Sequence, residues 1–180
     1  MCKEHKVIND IIIDNLHLIN FINLSEGEKR MVLLWRNNII IRKRMFNPRK
    51  IVLKEHNSFI EKLKKNTSNK YWLIRNNKNY YIGVIYLTKI DLAYLKANIG
   101  LYVNPEYIGK GYGKILIDCL KKIAIDKLSL STLQAEVLSD NIPAINLYKA
   151  FGFKQILHRK ISLKEKNELA DVMIMEYIKE

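Results

Sequence analysis

The sequence predicts an α/β fold, a single domain over residues 1–180 with a mixed central β-sheet flanked by about four α-helices. Three observations predict it. First, β-rich runs and helical patterns alternate along the chain in the order β-α-α-β-β-β-α-β-α-β-β. Second, the strand-like run 99–103 leads into three of the chain's seven glycines, Gly109, Gly111 and Gly113, and then into a helical stripe of Leu116, Cys119, Leu120, Ile123 and Ala124. Third, hydrophobic residues make up 48% of the chain, enough for a core, yet no apolar run is long enough to span a bilayer.

The elements follow in order. Residues 1–14 read as a peripheral extension: Ile11-Ile12-Ile13 is bracketed by Asp10 and Asp14, too short and too acidic for a signal peptide. Residues 16–24 read as a first strand. Ser25 and Glu28 then fit a capping box, opening a helix with Met31, Leu34 and Trp35 on its inner face. Asn47-Pro48 breaks the chain before a second helix over 53–65, with Phe59, Ile60 and Leu63 inward. Runs 71–75 and 80–89 form a hairpin through the turn chemistry of Asn76-Asn77-Lys78-Asn79. Strand 95–103, the glycine loop, helix 112–127 and strand 132–138 come next. Asp140 or Asn141 caps a short helix over 142–150, which Gly152 ends. Two further strands, 153–163 and 170–178, form an antiparallel pair that offers an edge for a homodimer.

The formal net charge is +13. The lysines are scattered and few aromatics interleave with them, which argues for a basic field around polyanionic small molecules rather than a nucleic-acid partner. The two cysteines, Cys2 and Cys119, make neither a disulfide framework nor a metal motif. Cys119 lies on an apolar helical stripe and reads as a buried thiol in a reducing cytoplasm. His5, His17 and His158 lack metal-ligand spacing, so no metal is expected. No membrane partner is expected either.

The strand, glycine loop and helix start form an anion site. Glycines let backbone amides turn toward one point, and the helix N-terminus adds unsatisfied N–H groups and a positive dipole end. A diphosphate suits it. Lys110 and Lys114 add charge, although each also reads as a solvated lysine. Glu136 sits mid-strand in Leu133-Gln134-Ala135-Glu136-Val137. A carboxylate there needs a partner or a task, such as taking a proton from a nucleophile. Alternation offers a plainer reading, with Gln134 and Glu136 on a polar strand face. Tyr148 reads by itself as a core aromatic on an amphipathic helix.

The run 108–113, Ile-Gly-Lys-Gly-Tyr-Gly, and the run 140–153, Asp-Asn-Ile-Pro-Ala-Ile-Asn-Leu-Tyr-Lys-Ala-Phe-Gly-Phe, together resemble the GNAT superfamily of acyl-CoA-dependent N-acyltransferases. The first matches the pyrophosphate loop Arg/Gln-x-x-Gly-x-Gly/Ala at Gly111 and Gly113, with Ile108 in place of Arg or Gln. The second fills every named position of N-x-x-A-x-x-x-Y-x-x-x-G-F. The resemblance implies acetyl-CoA as acyl donor, seated where the sheet splays between its fourth and fifth strands, 95–103 and 132–138. It implies donor contacts at Leu101, Tyr102, Val103, Ile108, Gly109, Lys110, Gly111, Tyr112, Gly113, Lys114, Asn141, Ala144 and Tyr148. It makes Tyr148 the general acid for the leaving thiolate and Glu136, or a water it orients, the base for the amine. Transfer is then direct, within a ternary complex.

A narrower resemblance spans most of the chain. Leu24-Ser25-Glu26-Gly27-Glu28-Lys29, Leu34-Trp35-Arg36-Asn37, Leu87-Thr88-Lys89-Ile90, Gly100 to Pro105 and Leu133 to Val137 are similar to the sugar-nucleotide N-acetyltransferases of pseudaminic acid biosynthesis. It implies acetylation of the 4-amino group of UDP-4-amino-4,6-dideoxy-N-acetyl-β-L-altrosamine, on the route to flagellin glycosylation. It lifts Arg36, His56, Thr88, Lys89 and Tyr102 as residues for the UDP-amino sugar. Beside it stand a protein or N-terminal-peptide acetyltransferase on the same fold, and a non-catalytic module binding CoA or nucleic acid.

Overall fold

One eight-stranded mixed sheet organises the chain, in the order β1-β2-β3-β4-β5-β6-β8-β7. The structure is a computed structural model and describes residues 9–163 and 168–179. Its strands are β1 Ile11–Ile13, β2 Leu16–Asn20, β3 Lys70–Asn76, β4 Tyr81–Asp91, β5 Lys96–Val103, β6 Thr132–Leu138, β7 Lys154–Leu163 and β8 Glu168–Ile178. The helices are α1 Glu26–Asn37, α2 Ile39–Arg42, α3 Leu53–Leu63, α4 Tyr112–Lys122 and α5 Ile142–Ala150. Neighbouring strands are antiparallel except β5 and β6, which run parallel.

The alternation of side chains divides the core between the two faces of this sheet. On one face Leu116, Ile117 and Leu120 of α4 pack with Ile85, Leu87, Leu133 and Ala135. On the other, Val32 and Trp35 of α1 and Ile60 and Leu63 of α3 pack with Leu73 and Val84. Among the described residues no helix is long and apolar enough to cross a membrane.

Local chemistry sets most boundaries. The capping box is present: Ser25 Oγ accepts from the Glu28 amide at 3.3 Å, and Glu28 Oε2 accepts from the Ser25 amide at 2.8 Å. The Tyr81 hydroxyl donates to the other Glu28 oxygen at 2.9 Å, which ties the start of α1 to β4. In the hairpin turn Asn79 takes φ 63°, and Asn76 Oδ1 accepts from the Lys78 and Tyr80 amides.

Several boundaries differ from the sequence reading. Ile11–Ile13 is an edge strand paired with β2, while residues 1–8 of the expected extension lie outside the described residues. The first predicted strand ends at Asn20, whose side chain accepts from the Ile22 amide and turns the chain into a short 3-10 helix. Helix 112–127 is α4 followed by a π-helical turn over Ile123–Lys127. The one-turn helix α2, capped by Asn38, brings the number of α-helices among the described residues to five. Leu34 points to solvent with 72% exposure, because α1 packs through Val32, Leu33 and Trp35. Phe59 lies at the rim of its helix, edge-on to Tyr71 at 5.1 Å. Cys119 is buried as expected, and burial pushes its thiol up to about 11.

Candidate active site

β5 and β6 pair over only three positions, Lys96 with Thr132, Ala97 with Leu133 and Asn98 with Gln134. Beyond Asn98 the ladder stops, and a cavity of about 610 Å³ opens between the strands. Ile99–Val103 form one wall and Glu136–Leu138 the other. The starts of α4 and α5 close one end, and Ile40–Met45 lie across it from α2 onward. Arg44 and Asp140 join the two lips in an ion pair of 2.8 Å.

The glycine loop occupies one end of the cavity. Gly109 and Gly111 take φ 81° and 85°, left-handed conformations that disfavour any side chain. Gly113 serves differently: a Cβ there would stand 3.2 Å from Leu147, so it lets α4 approach α5 closely. Asn104 holds the loop from behind, its amide donating to the Tyr81 carbonyl at 3.0 Å and its Oδ1 accepting from the Glu106 amide at 3.1 Å. The amides of Lys110 and Lys114 are committed to the carbonyls of Tyr107 and Gly111. The first-turn N–H groups of Tyr112 and Gly113 have no intrahelical acceptor, and the helix dipole adds to them. This is a cradle for an anion.

Helix α5 explains the second motif residue by residue. Asn141 is its N-cap, yet its side chain makes no capping hydrogen bond and lines the cavity instead. Ala144 is part of the wall. At the other end Gly152, at φ 86°, donates to the Lys149 carbonyl at 3.1 Å, and Phe153 donates to the Tyr148 carbonyl at 3.0 Å. This pair of bonds is a Schellman motif, and its hydrophobic contact is the Tyr148 ring against Phe153, centroids 5.3 Å apart. The buried Tyr148 still lines the cavity. Burial raises its hydroxyl above the usual tyrosine range, with Tyr86 adding to the effect, so it keeps its proton at neutral pH.

The other end is aromatic and charged. Tyr71 stacks on Tyr86 across β3 and β4, centroids 4.9 Å apart. Tyr86 in turn lies over Gly100 of β5, where a Cβ would overlap its ring. Tyr102 follows on the same face, and burial raises its hydroxyl too. Arg36 faces Tyr102 and Tyr86. It donates to the Asn47 carbonyl at 2.6 Å, and its buried Nη1 has no partner among the described residues. Glu136 accepts from Asn98 at 3.1 Å and from Arg159 at 2.7 Å, with Lys89 at 3.6 Å.

Residues 39–153 match the sequence model of the Acetyltransferase (GNAT) family. The chain belongs to that family. It is an acyltransferase, and its donor is acetyl-CoA. Acetyltransferase PseH of Campylobacter jejuni is 34% identical over 77% of this chain and 84% of its own length. A crystal structure of that bacterium's N-acetyltransferase PseH in complex with acetyl coenzyme A superposes with a TM-score of 0.72 at 27% identity, covering 92% of this chain and 99% of the other. A spermidine N-acetyltransferase from Vibrio cholerae, solved with CoA and spermine, has a TM-score of 0.82 at 22% identity and shares the fold.

This GNAT cavity gathers most of the expected donor residues: Leu101, Tyr102, Val103, Ile108, Gly109, Gly111, Gly113, Lys114, Asn141, Ala144 and Tyr148, together with Glu136. It does not include Tyr112, which stacks on Tyr107 at 4.9 Å, or Lys110, which caps the Tyr107 ring at 5.4 Å. Of the residues expected for the acceptor, Tyr102 lines the cavity. Arg36 sits behind it, Lys89 reaches its far end through Glu136, and Thr88 lies opposite Asn98 in the sheet. His56 is buried in the helical face beside α1, and burial lowers its pKa. Among the described residues no three His, Cys, Asp or Glu side chains gather as metal ligands. Sequence reasoning missed Tyr86, Asn98 and Arg159. Alternation along β5 puts Asn98 on the strand face of Gly100 and Tyr102, a signal for Asn98 alone.

Proposed function

We propose that this acyltransferase acetylates the 4-amino group of a UDP-linked 4-amino-4,6-dideoxy sugar, in the pseudaminic acid pathway that supplies flagellin glycosylation. The observation that carries the acceptor is the 34% identity to acetyltransferase PseH across 77% of this chain. The aromatic and cationic end of the cavity supports it. Tyr86 and Tyr102 line that end, and behind them the buried Arg36 guanidinium places a positive charge that suits an anionic acceptor.

The chain's residues then divide the reaction. Free N–H groups at the start of α4 and the charge of Lys114 hold the donor's pyrophosphate. The edge of β5 over 101–103 is released from β6, so amides there are available to the thioester oxygen and to the oxyanion that develops on it. Glu136, directly or through a water, takes a proton from the acceptor ammonium. The amine nitrogen bonds to the thioester carbon, the C–S bond breaks, Tyr148 gives its proton to the departing sulfur, and the second proton that the nitrogen loses returns to Tyr148 through solvent. No covalent enzyme intermediate is required, because both substrates meet in one cavity.

The test is release of CoA thiol from acetyl-CoA, with UDP-4-amino-4,6-dideoxy-N-acetyl-β-L-altrosamine compared with basic peptides and polyamines. Turnover with the sugar nucleotide, competed by UDP, is the expected result. Turnover with peptides or polyamines alone overturns the acceptor and leaves the family chemistry.

A further inference from the structure

Glu136 reaches the cavity from the middle of β6, but its carboxylate is held by residues of three other strands. Asn98 of β5 donates to Oε1 at 3.1 Å, and Lys89 of β4 stands 3.6 Å from the same oxygen. Arg159 of β7 donates to Oε2 at 2.7 Å. Glu136 pairs with Ile174 of β8 and Arg159 with Val172, so the guanidinium reaches across an entire strand to arrive there. On β8 itself, Glu176 is engaged by Gln134 at 2.8 Å, and Asp171 lies opposite Lys160 in the ladder.

We infer that Arg159 is a positioning residue for proton transfer: by fixing Oε2 from β7 it directs the basic lone pair of Glu136 into the cavity. The inference rests on Glu136 serving as the base. A carboxylate has about four acceptor sites. Arg159 takes one on Oε2 through a short charge-assisted bond, and Asn98 takes one on Oε1 through a longer neutral bond, while Lys89 at 3.6 Å stands beyond hydrogen-bond distance. Oε1 is the less tightly held oxygen, so the proton from the amine goes to its free site and leaves from there to water once the amide has formed. The exposures agree with this division. The Glu136 side chain is 19% exposed and the Arg159 side chain 46% exposed, so the carboxylate faces the protein and its clamp faces solvent. A half-exposed ion pair of this kind contributes little to stability, so its reach across β8 needs another explanation.

The experiment compares Arg159→Ala, Arg159→Lys and Glu136→Gln in the full chain, with acetyl-CoA and the UDP-4-amino sugar. Arg159→Ala is expected to lower kcat about ten- to a hundredfold through misplacement of the base, with KM for acetyl-CoA unchanged. Arg159→Lys should recover part of that loss, since an ammonium returns a donor without the planar fork. Wild-type kcat in Arg159→Ala, alongside an impaired Glu136→Gln, overturns the positioning role alone. A lowered kcat with KM for acetyl-CoA raised in step, and no recovery in Arg159→Lys, also overturns it, as an effect of structure only. Unchanged kinetics in Glu136→Gln remove the base and the inference together, whereas failure of the wild type with the sugar nucleotide removes the acceptor.

Discussion

The two ends of the cavity are built by different means. The donor end comes from two short stretches of chain, 104–114 and 141–153, and each is shaped by its own backbone: left-handed glycines, a helix start, a Schellman stop. The aromatic and charged end is assembled from α1, β3, β4, β5, β6 and β7, with no two of Arg36, Tyr71, Tyr86, Tyr102, Glu136 and Arg159 adjacent in sequence. An end that grips a constant cofactor can be encoded locally. The other end, which we propose takes the acceptor, depends on how the sheet brings distant strands together, so single substitutions there are expected to alter selectivity without disturbing the donor.

That contrast can be broken at Tyr148, where both ends meet. Tyr148→Phe removes the proposed acid but keeps the ring on Phe153, so kcat should fall by about tenfold or more while acetyl-CoA binding, read by calorimetry, stays. Wild-type turnover in this variant would take Tyr148 out of the chemistry. Gly100→Ala sharpens the contrast. The added methyl meets Tyr86, costing about 1–3 kcal/mol in overpacking. KM for the acceptor should rise several-fold and KM for acetyl-CoA should hold; an equal rise in both would mean the two ends share that wall.

The smallest effect is on stability at high pH. Tyr71, Tyr86, Tyr102 and Tyr148 all have hydroxyls raised above 10.0 by burial. The folded state therefore keeps protons that the unfolded chain releases. Their contribution is complete below the unfolded value near 10.0 and is lost as pH climbs past it toward the folded values. Tm should fall between about pH 9 and about pH 11, and less steeply in Tyr86→Phe. An equal slope in that variant would assign the loss to other groups.

The sequence was most readable where structure is local. The Ser25–Glu28 box, the Asn76–Asn79 turn and the glycine loop each place a specific residue where the backbone requires it. The splay between 95–103 and 132–138 followed from the resemblance and stands where it was expected. Periodicity misjudged Leu34, because tertiary packing rotated the buried stripe of α1 to Val32 and Trp35. It also passed over Ile11–Ile13, where flanking acids hid an edge strand. Asn98 and Arg159 were out of reach for a different reason: their meaning depends on register across β5, β6, β8 and β7, which alternation alone does not reveal.

The Schellman stop after α5 turns the length of that helix into a ruler. Asn141 starts the count on one side of the cavity, and Phe153 locks its end against the Tyr148 ring. Each residue advances an α-helix by about 100° and about 1.5 Å. One residue inserted or deleted between Asn141 and Tyr148 would therefore keep the caps, yet swing the hydroxyl roughly a quarter-turn away from its place on the cavity wall. The spacing of the motif, as much as its side chains, shapes the cavity.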